Sequence, residues 1–242
     1  MAQKVIRLKL NQVIRSKNRQ RLSFMNLLST RICLSAVIAS ICAAAGLGQM
    51  PPPVSKMIYR DYEGKTISNN EFVDIRMANF HYQDATIVNT LPDGSTEFRL
   101  QKIPQEGMSA PAFSVKTIDG QTLTLDSFKG KVVVLNFWFI GCAICRAHKP
   151  KLNDLKSKFG EEDEVIFLAM SPDLKSDVKD YVRKEPFAYL QATDAQAQMK
   201  LFRFSGYPKN IVVGKSGEIV YWRSTIAAWD KFESVIRSEM LK

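Results

Sequence analysis

Val132-Val133-Val134-Leu135-Asn136-Phe137-Trp138-Phe139-Ile140-Gly141-Cys142-Ala143-Ile144-Cys145-Arg146 is the stretch whose reading decides the fold. It opens as an apolar run rich in β-branched and aromatic residues, the pattern of a strand buried on both faces. The run stops at Gly141, and a Cys-x-x-Cys follows at once. Residues 146–158 suit a helix with Leu152 and Leu155 on one face. Two cysteines therefore stand where a central strand hands over to a helix.

That placement has a chemical consequence. The first turn of a helix offers free N–H groups and the positive end of the macrodipole, which stabilise a thiolate. Cys142, at the helix start, is expected to be the exposed nucleophile. Cys145 lies about one helical turn on and can resolve a mixed disulfide. Two plainer readings stay open. Half a zinc site needs two further ligands, but the other cysteines, Cys33 and Cys42, lie in an apolar N-terminal segment, and His148 supplies at most a third. An inert structural disulfide is the other.

The start of the chain reads differently. Residues 1–31 hold eight of the basic residues and no acid, which accounts for most of the formal net charge of +10. The basic balance belongs to this leader and gives no reason to expect nucleic-acid binding. Residues 32–47 are apolar or small and uncharged, and Ala43-Ala44-Ala45 fits a small-x-small cleavage pattern. Residues 1–48 thus read as a secretory signal peptide with a long basic leader, or as an uncleaved membrane anchor. Translation from Met25 would give a leader of ordinary length. Cys42 is a poor fit to a lipidation site. Either way the rest of the chain is expected to be exported to a periplasm or cell envelope, with Cys142 and Cys145 its only cysteines.

Residues 49–56, with Pro51-Pro52-Pro53, read as a stiff linker. Residues 57–106 read as a small β-rich extension without helical periodicity. In it, segments 86–90 and 96–100 form a hairpin around Pro92-Asp93-Gly94, Glu63-Gly64-Lys65 makes a turn, and His81 is a surface or packing residue. About fifty residues are few for an independent core, so the extension should pack on the larger domain C-terminal to it.

Residues 107–242 read as one α/β domain. A hairpin pairs 112–116 with 121–125 around Asp119-Gly120, and a helical turn at 126–129 precedes the central strand. A second buried strand covers 165–170, and Ser176 is expected to cap a helix carrying Val178, Tyr181 and Val182 that ends at Pro186. Strand, helix, strand in this order calls for parallel pairing through a right-handed crossover. Residues 195–204 can be helical, Gly206-Tyr207-Pro208 breaks the chain, and a hairpin joins 211–213 to 218–222. A closing helix over 227–241 carries Trp229, Phe232, Val235 and Ile236 on one stripe.

Several segments together then match a known family. Ala110-Pro111-Ala112-Phe113, residues 130–138, Cys142-x-x-Cys145-Arg146, Pro150, Ser171-Pro172-Asp173, Gly206-Tyr207-Pro208 and Gly217-Glu218-Ile219-Val220 fall in register with the exported thioredoxin-like proteins of the TlpA/ResA type. The sequence resembles that family over residues 108–242. The resemblance implies a thioredoxin-like fold, a mixed sheet flanked by helices, and thiol–disulfide exchange. It implies a cis Tyr207–Pro208 bond facing the cysteines, with Trp138, Gly141 and Tyr207 beside the substrate. It also implies protein disulfides as substrates, apocytochrome c among them, and a membrane electron donor. The redox group is the Cys142–Cys145 couple itself; no metal or further cofactor is expected.

The departures from the family bear on mechanism. Gly141 stands where members commonly carry Trp, and Ala143-Ile144 lacks a proline. His148 replaces a Glu associated with proton transfer at the second cysteine and is a candidate acid–base group. Asn136 stands where thioredoxin has a buried acid. A peroxidase of the peroxiredoxin type would need Thr-x-x-Cys, and Phe139-Ile140-Gly141 does not supply it. A non-catalytic binding module built on the same fold is the other rival.

Overall fold

The structure is a computed structural model that describes residues 55–79, 86–160 and 163–242. The leader, Cys33, Cys42, most of the linker and His81 lie outside the described residues. Residues 55–242 form one compact unit. Among the described residues no helix is long and apolar enough to cross a membrane.

The described part of the chain begins with β1 (Met57–Arg60), α1 (Asn69–Arg76), β2 (Ile87–Thr90) and β3 (Thr96–Arg99). The expected hairpin is there: β2 and β3 pair antiparallel, Val88 opposite Phe98, while β1 joins the other side of β3 in parallel. The helix α1 corrects the expectation that 57–106 lacks one. It is eight residues long and buries only Phe72 and Asp74, too few positions to print a helical stripe. Its signal was local: Ser68 Oγ accepts the Glu71 N–H at 3.1 Å, the first half of an S-x-x-E capping box.

The second sheet holds β4 (Ser114–Thr117), β5 (Thr122–Thr124), β6 (Val132–Phe137), β7 (Val165–Met170), β8 (Leu190–Thr193), β9 (Lys209–Val213) and β10 (Ile219–Arg223), in the order β10-β9-β6-β7-β8-β4-β5. The pairs β6–β7 and β7–β8 are parallel; β9 runs antiparallel to β6, and β4 to β8. The helices are α2 (Ala143–Ser157), α3 (Lys175–Lys184), α4 (Gln196–Leu201) and α5 (Trp229–Met240).

Every residue of β6 is buried, as an apolar run without alternation requires. Its parity divides the core. Val132 and Val134 join Leu152, Leu155, Val178, Phe232 and Ile236 on the side of α2, α3 and α5. Val133, Leu135 and Phe137 join Phe113, Leu123, Phe128, Phe202 and Trp222 on the other side. A side chain of this size is stabilised by about 1.5–3 kcal/mol on full burial, so a one-residue slip of β6 would exchange the two sets at large cost.

Two helix starts or ends depart from expectation. Leu174, not Ser176, holds the N-cap position of α3; Ser176 lies inside the first turn and bonds Asp177. The helix expected over 195–204 is only α4, because Arg203 adopts φ 53 and ends it.

The extension is fastened to the end of the chain. Asp74 of α1 accepts the N–H groups of Ala227 and Ala228 at 2.8–3.0 Å, just before α5. Lys209 Nζ and Ser224 Oγ both donate to the carbonyl of Ala78, at 2.6 and 3.1 Å, just past the C-cap of α1. Trp222 Nε1 donates to Asn79 Oδ1 at 3.0 Å.

Candidate functional site

The strand β6 delivers its last residue, Phe137, to the C-terminal edge of the sheet, and residues 138–141 turn there into α2. Cys142 is the N-cap of α2, with extended backbone, and its Sγ accepts the Cys145 N–H at 3.1 Å. The helix has no acidic residue in its first turn, so the positive end of its dipole meets the sulfur unopposed from within the helix. Cys142 and Cys145 are joined as a disulfide, with Cα atoms 5.2 Å apart.

Cys142 is not the exposed residue expected from its position. It is 6% exposed, the same as Cys145. Both cysteines belong to a buried apolar cluster, against which Phe139, Ile140 and Tyr207 also pack. Gly141 itself is exposed, and a Cβ there would lie 3.1 Å from the Phe139 ring. That ring occupies space a larger residue before Cys142 would need. Phe139 also meets Tyr207 edge-on, centroids 5.2 Å apart. It is a site residue the sequence reading missed, although an aromatic three residues before Cys142 was visible.

The peptide Tyr207–Pro208 is cis. Register brings it to the site: Lys209 pairs with Phe137 across β9 and β6, so the preceding Tyr207 and Pro208 flank the residues just after Phe137. Pro208 is buried, while Tyr207 beside it is partly exposed. Burial first, and then the charge of Asp173, raise the Tyr207 phenol above its ordinary pKa.

Trp138 corrects a second expectation. It is 2% exposed, with its ring against Tyr181 at 5.4 Å and Phe187 at 5.7 Å, so it serves the core beneath the dithiol and not the substrate face. His148 is half-buried against Trp229, centroids 5.6 Å apart. Burial, then the nearby Lys151 charge, hold its pKa below the usual histidine value, and its buried Nδ1 has no hydrogen-bond partner. Spacing along α2 puts His148 on the same side as Cys145, but no hydrogen bond joins it to the dithiol.

Lys149, unforeseen, is 8% exposed. Its Nζ meets Glu185 Oε2 at 2.8 Å, the Glu185 carbonyl at 3.2 Å and Tyr181 Oη at 3.1 Å, tying α2 to α3. Asn136 is buried in β6 and donates to Asn210 Oδ1 of β9 at 2.8 Å. Among the described residues no group of three or more His, Cys, Asp or Glu is placed to hold a metal ion.

Known proteins are similar to this chain in sequence or fold. Residues 107–222 match the AhpC/TSA family. The chain is 29% identical over 115 residues to the thiol-disulfide oxidoreductase ResA of Bacillus thuringiensis subsp. konkukian, a match covering 47% of this chain and 66% of that protein, just under two thirds. It is 28% identical over 117 residues to the thioredoxin-like protein YneN of Bacillus subtilis, covering 48% and 69%. A thioredoxin family thiol:disulfide interchange protein from Chlorobium tepidum superposes with TM-score 0.50 at 20% identity, over 57% of this chain and 99% of that one, which shows the thioredoxin-like fold. By sequence match, residues 107–222, just under half of the chain, are similar to the AhpC/TSA family.

Proposed function

We propose that the chain is an exported thiol–disulfide oxidoreductase that reduces disulfides in cell-envelope proteins. The observation that carries this reading is the Cys142–Cys145 disulfide at the start of α2, with Cys142 Sγ on the Cys145 amide. Similarity to relatives named thiol-disulfide oxidoreductase supports it. The leader of residues 1–48 supports export, and a membrane donor of the thiol–disulfide type would supply electrons.

In the reduced protein the Cys142 thiolate attacks one sulfur of a substrate disulfide. That S–S bond breaks, a substrate thiolate leaves, and a Cys142–substrate disulfide forms. Cys145, as thiolate, then attacks Cys142 Sγ and expels the second substrate thiolate. Two electrons have passed to the substrate, whose thiolates take up the protons the two cysteines released. Amide donors at the α2 terminus favour Cys142 as the attacking sulfur. With both cysteines only 6% exposed, the residues around them would have to yield for a protein disulfide to arrive.

A Cys145→Ser variant should accumulate a mixed disulfide on Cys142. An adduct formed on Cys145 in a Cys142→Ser variant instead would reverse the roles. The 6% exposure of both cysteines favours a second reading, a non-catalytic module with a stored disulfide. Insulin reduction with dithiothreitol separates the two, since a stored disulfide gives no cysteine-dependent rate.

A further inference from the structure

One residue joins the loops around the dithiol. Asp173 follows β7, and its Oδ2 accepts both the Ile140 N–H and the Ser171 hydroxyl, each at 2.8 Å. Ile140 precedes Cys142 by two residues, and the backbone turns sharply there, the Cys142 N–H donating to the Phe139 carbonyl at 3.1 Å. Through that carbonyl and standard peptide dimensions, Oδ2 lies within about 8 Å of the Cys142 backbone nitrogen. On its other side the Asp173 charge is felt by Tyr207.

The other charged groups nearby are occupied or turned away. Arg146 and Lys149 of α2 both pair with Glu185, which also accepts from Tyr181 of α3. His148 is turned to Trp229. Lys175, at the start of α3, has its Nζ near Gly120, and Asp194 is exposed before α4. Asp173 has no ion-pair partner among the described residues.

We propose that Asp173 is a positioning residue that biases the dithiol toward giving up electrons: its carboxylate holds the loop before Cys142, and its unpaired negative charge opposes the thiolate. The inference rests on the exchange chemistry proposed above. A helix terminus stabilises the thiolate and so the reduced form; a carboxylate beside it works the other way. A reduced form whose thiolate is less stabilised passes its electron pair to a substrate disulfide more readily, becoming the Cys142–Cys145 disulfide as the substrate becomes a dithiol.

The test compares Asp173→Asn with Asp173→Ala. The asparagine keeps an oxygen for the Ile140 N–H and removes only the charge. Thiolate formation is titrated by ultraviolet absorbance in the reduced protein, and the disulfide is equilibrated with glutathione. At roughly 8–10 Å, with an effective dielectric of about 20–40, removing the charge lowers the Cys142 thiol pKa by about one pH unit, roughly a tenfold change. Asp173→Asn should show that fall, diminished by high salt, and its glutathione equilibrium should move toward the dithiol. An unchanged pKa in Asp173→Asn, or a change confined to Asp173→Ala, overturns the proposal, because a loop-holding role alone would then remain. If wild type lacks cysteine-dependent insulin reduction, the exchange reading fails, while the thiol titration still decides what Asp173 does.

Discussion

Replacing Asp74 by alanine should open the clamp between α1 and α5, and its cost can be worked out from the contacts. Asp74 is 1% exposed and receives the N–H groups of Ala227 and Ala228. Ala228 is the N-cap of α5 and has no side-chain cap of its own; Asp74, 154 residues earlier, supplies it. Without the carboxylate the buried Ala228 N–H is left unpaired, at about 1–3 kcal/mol. Losing a cap costs about 1 kcal/mol and overlaps with this. The exposed Ala227 amide can turn to water. Against these, burial raises the Asp74 pKa above its ordinary value, so truncation also removes a desolvated charge. The net expectation is about 2 kcal/mol. With a urea m-value of about 2 kcal/mol/M, the unfolding midpoint falls by about 1 M. Asp74→Asn, which keeps one oxygen, should fall by roughly half as much. The Lys231–Glu71 pair joins the same two helices at 3.4 Å nearer the surface, so Glu71→Gln should move stability by less than about 0.5 kcal/mol. A midpoint for Asp74→Ala equal to that of wild type, or a loss in Glu71→Gln as large as in Asp74→Ala, would refute the capping argument.

Three further outcomes are expected. Burial, then the Arg223 charge, push the Lys209 pKa down to about 7, so the native state holds fewer protons than the unfolded chain above that pH; stability should rise with pH between about 7 and 10, and Lys209→Met should flatten that rise in urea melts at several pH values. Hydrogen bonds from Lys149, and then Tyr181, lower the Glu185 pKa; its contribution is complete above the ordinary glutamate value and is lost as pH falls through the lowered one, so Glu185→Gln should blunt the acid-side loss of stability. Asn136→Ala strips Asn210 of its side-chain partner, since Asn210 Nδ2 already has none. It should cost about 2 kcal/mol, and a double variant with Asn210→Ala should cost less than the sum of the singles by about 1 kcal/mol in the same melts.

What the sequence displayed was what periodicity and turn chemistry encode. The unbroken run of β6, the hairpins around Asp93-Gly94 and Asp119-Gly120, and the strand-to-helix handover at Cys142 follow from local pattern, and each lies where the pattern puts it. Several of the misses share one cause, dependence on distant residues. The helix α1 owes its place to Ala78, Asp74 and Asn79 meeting groups far along the chain, so no stripe announces it. Ser176 offers a good capping side chain, yet the helix begins one residue before it. Trp138 was read from its own neighbourhood, and it is buried against Tyr181 and Phe187, some forty residues or more further along the chain. Asp173 was quoted only as part of a motif, and its bond to Ile140 spans 33 residues.

The carbonyl of Ala78 carries a consequence for how the molecule is made. Its two donors, Lys209 and Ser224, come 131 and 146 residues later. A polypeptide leaves the ribosome, or a translocation pore, from its N-terminus onward. The segment around α1 therefore emerges early and finds no seat until strands β9 and β10 have followed it out. Among the described residues, one of the earliest elements to appear must wait for nearly the last, and whatever shields its apolar side chains in the meantime is part of this protein's route to its final form.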